Sequence, residues 1–195
     1  MQAARGASLS PSDPDGSDGP HAGSGRIRRR CLLLLAVVAT IGYATDLTTK
    51  VLAVQHLTGR PPVRVVGDVL TLYLARNPGA AFSTGTSYTV VLTFVAVAAA
   101  VAVLWLARRL GSIGWSLALG FLLAGVLGNL TDRLFRSPGF LEGHVVDFLR
   151  LPNWPIFNVA DVCINVAAAL IILQAVRGIS LDGRRSARSS SDRTR

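Results

Sequence analysis

The sequence predicts a mainly α membrane protein: a bundle of four transmembrane helices with a small extracytoplasmic β-rich region between the first and second. Three observations predict it. Half of the 195 residues are hydrophobic and only 16% are charged. The apolar residues gather in four runs, each near the ~20 residues that cross a bilayer. Arginines cluster at the ends of those runs. The mean hydropathy of +0.45 understates the case, because polar tails dilute it.

Residues 1–25 are Gly, Ser, Pro and Asp with almost no large apolar side chain, and residues 178–195 are rich in Arg and Ser. Neither segment can bury enough apolar surface to offset chain entropy, so both are expected to be disordered tails. Residues 26–177 are expected to form one membrane domain.

The first span is predicted at about 31–54. Arg26, Arg28, Arg29 and Arg30 followed by Leu32 to Leu35 look like the start of a signal peptide. The run continues past Ile41 and further apolar segments follow, so a retained signal anchor is expected. The other spans are predicted at about 88–107, 115–135 and 156–176. Arg108 and Arg109 lie between the second and third, and Arg177, Arg184, Arg185 and Arg188 follow the fourth. Under the positive-inside rule all these clusters are cytoplasmic, with both termini inside.

Two connections then face outward. In residues 55–87, Val63 to Val66 and Val69 to Leu74 alternate around Gly67-Asp68, which predicts a small hairpin or sheet. In residues 136–155, Phe148 to Leu151 is expected as a short interfacial segment, with Pro152 and Pro155 leading into the fourth helix.

The net charge of +9 does not indicate nucleic acid: the basic residues sit at span ends and in the tails, with no basic surface interleaved with aromatics. Cys31 and Cys163 lie inside apolar runs and are expected as small buried hydrophobes. His144 precedes Asp147 by three residues, but without a second nearby histidine it does not make a metal motif, and neither metal nor cofactor is expected.

A bundle in lipid carries polar groups only for a reason, since Asp near a helix centre costs roughly 2.5–3.5 kcal/mol. Asp46 and Lys50 lie one turn apart in the first span; Asn129, Asp132 and Arg133 close the third; Asn158 and Asp161 open the fourth; Asp147 lies in the second outer connection. With alternating span directions, every one of these groups falls near the outer face. The i, i+4 pairs Asp46/Lys50 and Asn129/Arg133 and the i, i+3 pair Asn158/Asp161 each share a helix face. If those faces point inward, each Arg or Lys can compensate an Asp.

Asp46-Leu-Thr-Thr-Lys50, Asn77-Pro-Gly-Ala-Ala-Phe-Ser83, Gly128-Asn-Leu-Thr-Asp-Arg133, Val146-Asp-Phe148 and Phe157-Asn-Val-Ala-Asp161 resemble, in order, the motifs of the lipoprotein signal peptidases (signal peptidase II). The resemblance covers about residues 30–176 and departs from the family only locally, at Leu47 and Ala167. It implies an intramembrane aspartic peptidase that cuts a prolipoprotein just before its diacylglyceryl-modified cysteine, without a cofactor, in the bacterial inner membrane. The catalytic pair maps onto Asp147 and Asp161. Substrate contact or support maps onto Asn77, Gly79, Ala80, Phe82, Asn129, Arg133, Asn158, Asp46 and Lys50. Membrane lipids are the expected surroundings, and a monomer is the expected state.

The chemistry suits two carboxylates. Hydrolysis without a nucleophilic side chain needs a base for water and an acid for the leaving amine. Two close carboxylates cannot both ionise, so one keeps its proton while the other accepts one. Asp132, Asp46 and Lys50 are expected to be structural. Other classes make other demands. A serine/lysine peptidase would use Lys50, the chain's only lysine, with Ser83 or Ser87. A transporter would use Asp46, Asp161 and Arg133 as a relay, although no polar set marks the inner half. A membrane scaffold would need no aspartate.

Overall fold

The structure, a computed structural model, describes residues 21–79 and 87–185, with backbone only for 21–24 and Ser87. Ala80, Phe82, Ser83, residues 1–20 and residues 186–195 lie outside the described residues, as does the Ser87 side chain. The elements are α1 (His21–Leu57), β1 (Val63–Val66), β2 (Leu70–Asn77), α2 (Ser87–Ala107), α3 (Ile113–Phe135), β3 (Val145–Arg150) and α4 (Val159–Val176). All four helices are long and apolar enough to cross a membrane.

The bundle is built around α3. In its most apolar window 56% of residues are buried, against 17–22% in the other three helices. The outer helices instead expose Leu33, Val37, Ile41, Phe94, Val95 and Val101, the outward-apolar surface that lipid tolerates and water does not. Small residues let the helices approach α3 closely. A β-carbon at Gly125 would strike the Ala160 carbonyl and Ile164 of α4, and one at Gly128 would overlap the Asp46 carboxylate of α1.

The three strands form an antiparallel sheet in the order β1-β2-β3. Gly67, at φ 49°, turns β1 into β2, a left-handed conformation that suits glycine. The sheet rests on the end of α1 through a core of Ala53, Leu57, Val146 and Phe148.

Four expectations need correction. Residues 148–150, expected only as a short segment, belong to a strand: Val145–Arg150 is the third strand, pairing Ala75 with Asp147 and Asn77 with Val145. Its backbone groups would lack partners beside lipid, and β2 supplies them. The fourth helix begins at Val159, not at 156, because Phe157 pairs with Leu149, donating to its carbonyl at 3.0 Å and accepting from its N–H at 2.8 Å. The first helix begins at His21, inside the expected polar tail. Adding turns to a formed helix costs far less than starting one. Finally, residues 178–185 fold back on the bundle. Gly111 N–H donates to the Leu181 carbonyl and Trp115 Nε1 to the Ile179 carbonyl, both at 2.8 Å; these partly buried donors before and at the start of α3 find their acceptors there.

Candidate active site

The polar residues singled out in the sequence meet at one end of the bundle, where α1 and α3 finish and α4 starts. They sort into two linked groups.

The first is centred on Lys50, which is fully buried. Its Nζ lies 2.8 Å from Asp46 Oδ2 of its own helix and 2.9 Å from Asp132 Oδ2 of α3. Both carboxylates have second tasks. Asp46 accepts from the Ala160 N–H at 2.7 Å, tying α1 to the start of α4. Asp132 accepts from the Val146 N–H at 3.1 Å and from Arg136 Nε, tying α3 to β3. Two anions paired with Lys50, and one of them also with Arg136, are how buried charge is made tolerable. The group clasps α1, α3, β3 and the start of α4 together.

The second group holds Asp147 and Asp161. The β3–β2 pairing and the Phe157–Leu149 bridge carry Asp147 to the foot of α4. Asp147 Oδ1 accepts from Asn158 Nδ2 at 2.6 Å and its Oδ2 from Asn77 Nδ2 at 3.0 Å. Asp161 Oδ1 accepts from Asn129 Nδ2 at 2.9 Å and its Oδ2 from the Asn158 N–H at 3.1 Å. The return bond, Asp161 N–H to Asn158 Oδ1 at 2.9 Å, completes a capping box. The i, i+3 spacing of Asn158 and Asp161 therefore has a local cause, and it also fixes the Asp161 carboxylate. Every named donor to these two carboxylates is a neutral amide.

Asn129 joins the groups: its Oδ1 accepts from Lys50 Nζ at 3.0 Å and from Asn158 Nδ2 at 3.2 Å, while its Nδ2 serves Asp161. Asn77 also accepts from the Gly79 N–H at 2.9 Å. Gly79 sits at φ 105°, and a β-carbon there would meet Leu92, so this turn needs glycine.

Asp147 is 2% exposed. Burial pushes its carboxyl up to about 6; the Asp161 charge adds to the rise, while the Asn77 and Asn158 hydrogen bonds and Lys50 oppose it. Burial of a carboxyl beside a like charge is the condition for holding a proton near neutral pH.

Arg133 departs from expectation. It forms no ion pair with Asp147 or Asp161 among the described residues, and its Nη1 is buried without a hydrogen-bond partner. It acts on Asp147, Asp132 and Asp161 through its field alone. Sequence reading missed Thr89 and Thr93, both buried. Thr89 Oγ1 donates to the Pro78 carbonyl, and Thr93 Oγ1 donates to the Leu141 carbonyl at 2.9 Å. They pin the connections on either side of the site to α2. Two threonines at i, i+4 in an otherwise apolar span were the available signal.

Fold and site together define a class: a polytopic membrane protein with a carboxylate-centred polar site at one end of its bundle. A family described as signal peptidase (SPase) II matches residues 38–177. The chain is 48% identical to the lipoprotein signal peptidase of Mycobacterium avium over 177 residues, covering 90% of this chain and 95% of that one. It is 47% identical to that of Rhodococcus jostii, covering 89% and 85%. A bacterial membrane enzyme solved at 1.9 Å by the in meso method shares the fold, with a TM-score of 0.66 at 24% identity, covering 73% of this chain and 92% of that one. The chain belongs to the signal peptidase II family and is a multi-pass bacterial membrane protein.

Proposed function

We propose that Asp147 and Asp161 are the catalytic dyad with which this chain, an aspartic endopeptidase of the signal peptidase II type, removes signal peptides from prolipoproteins. The observation that carries the assignment is the difference in partners. Asp46 and Asp132 are ion-paired with Lys50, and Asp132 also with Arg136, whereas Asp147 and Asp161 are held by amides. A cation in direct contact favours the charged form of a carboxylate. Two carboxylates oriented by amides are free to share one proton.

In the reaction, the ionised member takes a proton from water as the oxygen adds to the scissile carbonyl. The protonated member then gives its proton to the departing amine as the C–N bond breaks. The dyad acts as a unit, and the amides of Asn77, Asn129 and Asn158 keep both carboxylates oriented through it. The arginines near residues 26–30, 108–109 and 177 lie at the opposite end of the bundle. This supports cytoplasmic termini and a site near the outer face, where a substrate anchored by a diacylglyceryl cysteine presents its cut site. The serine/lysine reading is disfavoured because Lys50 is occupied by two carboxylates.

The test is cleavage of a diacylglyceryl-modified prolipoprotein by purified enzyme. Asp147→Asn and Asp161→Asn should each lose on the order of a thousandfold in rate or more while Ser83→Ala still cuts. A near wild-type rate in either Asn variant would overturn the dyad.

A further inference from the structure

α2 is the most apolar of the four spans, yet it buries two hydroxyls, those of Thr89 and Thr93. A threonine in a helix ordinarily spends its hydroxyl on the carbonyl one turn back, as Thr45, Thr58 and Thr131 do here. Thr89 instead donates to the Pro78 carbonyl, in the connection between β2 and α2. Leu92, three residues on, packs against the same turn, because a β-carbon at Gly79 would strike it. The Pro78 carbonyl and the Gly79 N–H are the two ends of one trans peptide group, and they point in opposite directions. Thr89 holds the first end. The second donates to Asn77 Oδ1 at 2.9 Å, and Asn77 Nδ2 donates to Asp147 Oδ2 at 3.0 Å. A continuous row of hydrogen bonds therefore runs from the α2 hydroxyl to the carboxyl of β3. Bonds in such a row polarise and strengthen one another.

We propose that Thr89 is a positioning residue for peptide hydrolysis: through the Pro78–Gly79 peptide it holds the Asn77 side chain in the orientation that donates to Asp147. The inference rests on the assignment of Asp147 to the dyad. Fixing the oxygen of a carboxamide fixes where its nitrogen points, so the plane of the Pro78–Gly79 peptide sets the aim of Asn77 Nδ2. Thr93 supports the arrangement from the other side. Its Oγ1 donates to the Leu141 carbonyl at 2.9 Å, in the connection that leads into β3 and Asp147. Leu141 sits at φ 70°, a conformation that a leucine keeps only where its surroundings hold it. One face of α2 thus anchors the approach to Asn77 and the approach to Asp147.

The experiment follows cleavage of a diacylglyceryl-modified prolipoprotein by the full-length enzyme, as turnover per folded molecule at saturating substrate. Thr89→Val keeps the shape and removes the hydroxyl. It should turn over about fivefold more slowly, the equivalent of one net hydrogen bond. Thr89→Ala, smaller and also without a hydroxyl, should match it, and Thr89→Ser should turn over at nearly the wild-type rate. Asn77→Ala already lacks the group through which Thr89 acts, so adding Thr89→Val to it should cost nothing further. The Asn77 amide favours the ionised form of Asp147, so Thr89→Val should also move the turnover profile to higher pH. The charged groups that act on Asp147 from the neighbouring helices, Lys50 of α1, Arg133 of α3 and Asp161 of α4, are the same in both proteins. Wild-type turnover in Thr89→Val would overturn the proposal. So would an undiminished loss in the Asn77→Ala background, or a slowed enzyme whose pH profile has not moved. Lost stability with neither change would make the hydroxyl merely structural and overturn it too. Failure of the dyad itself would show separately, as cleavage by Asp147→Asn.

Discussion

Two groups of carboxylates, all buried except the half-buried Asp161, sit side by side in this molecule and are treated differently. Asp46 and Asp132 share Lys50 and also hold backbone amides of neighbouring elements. Asp147 and Asp161 receive hydrogen bonds from three asparagines. The difference teaches what each can do. A cation fixes charge and so fixes structure. Amides fix orientation and leave the proton count open. Asn129 touches both groups, so the clasp positions the site without neutralising it.

Breaking the clasp should have the largest effect on folding. Lys50→Met leaves buried Asp46 without its cation and Asp132 with Arg136 alone, and loss of one partner from a buried ion pair costs about 3–5 kcal/mol. Chemical unfolding in detergent should show that loss, and a variant as stable as wild type would end the comparison.

The next effect is pH dependence, and its sign follows from Asp147. Its folded carboxyl is held at about 6, above the ordinary value of 3.8. The folded state therefore keeps a proton that the unfolded chain has released, and stability falls as pH rises from about 4 through 6. The size is bounded by about 3 kcal/mol, at 1.36 kcal/mol per pH unit. The slope should be smaller in Asp147→Asn than in wild type when unfolding is followed at pH 4, 5, 6 and 7. A slope of the opposite sign would contradict the burial argument.

The smallest effect belongs to the bridge. Asn129→Ala removes one donor from Asp161 and one acceptor from Lys50, a loss of about 1–3 kcal/mol. We expect it divided between stability and turnover. A variant that loses stability alone would place Asn129 wholly in the clasp.

Much of this was legible in the sequence. Span number follows from the length of apolar runs, and the convergence of Asp46, Asn129 and Asp161 follows from alternating span direction. Order in the chain does not encode partner choice. Asp132 was expected to be structural, but its bridge to Lys50 depends on how α1 and α3 rotate against each other. Arg133 is the converse: its spacing promised an ion pair, yet the amides of Asn129 and Asn158 reach Asp161 first. β3 was hidden because a six-residue strand between two spans has no periodicity of its own; it exists because β2 offers an edge. The capping box was readable in Asn158-Val-Ala-Asp161 as a variant of the usual signature, but only the fold brings Asp147 to it.

The most direct measurement compares four single variants, Asp46→Asn, Asp132→Asn, Asp147→Asn and Asp161→Asn, for stability and for turnover per folded molecule in one detergent. The account predicts a clean split: the first two are destabilised but turn over near the wild-type rate when folded, and the last two are folded and without turnover. If Asp46→Asn or Asp132→Asn abolishes turnover at unchanged stability, or if Asp147→Asn or Asp161→Asn turns over normally, the division between cation-held and amide-held carboxylates is wrong.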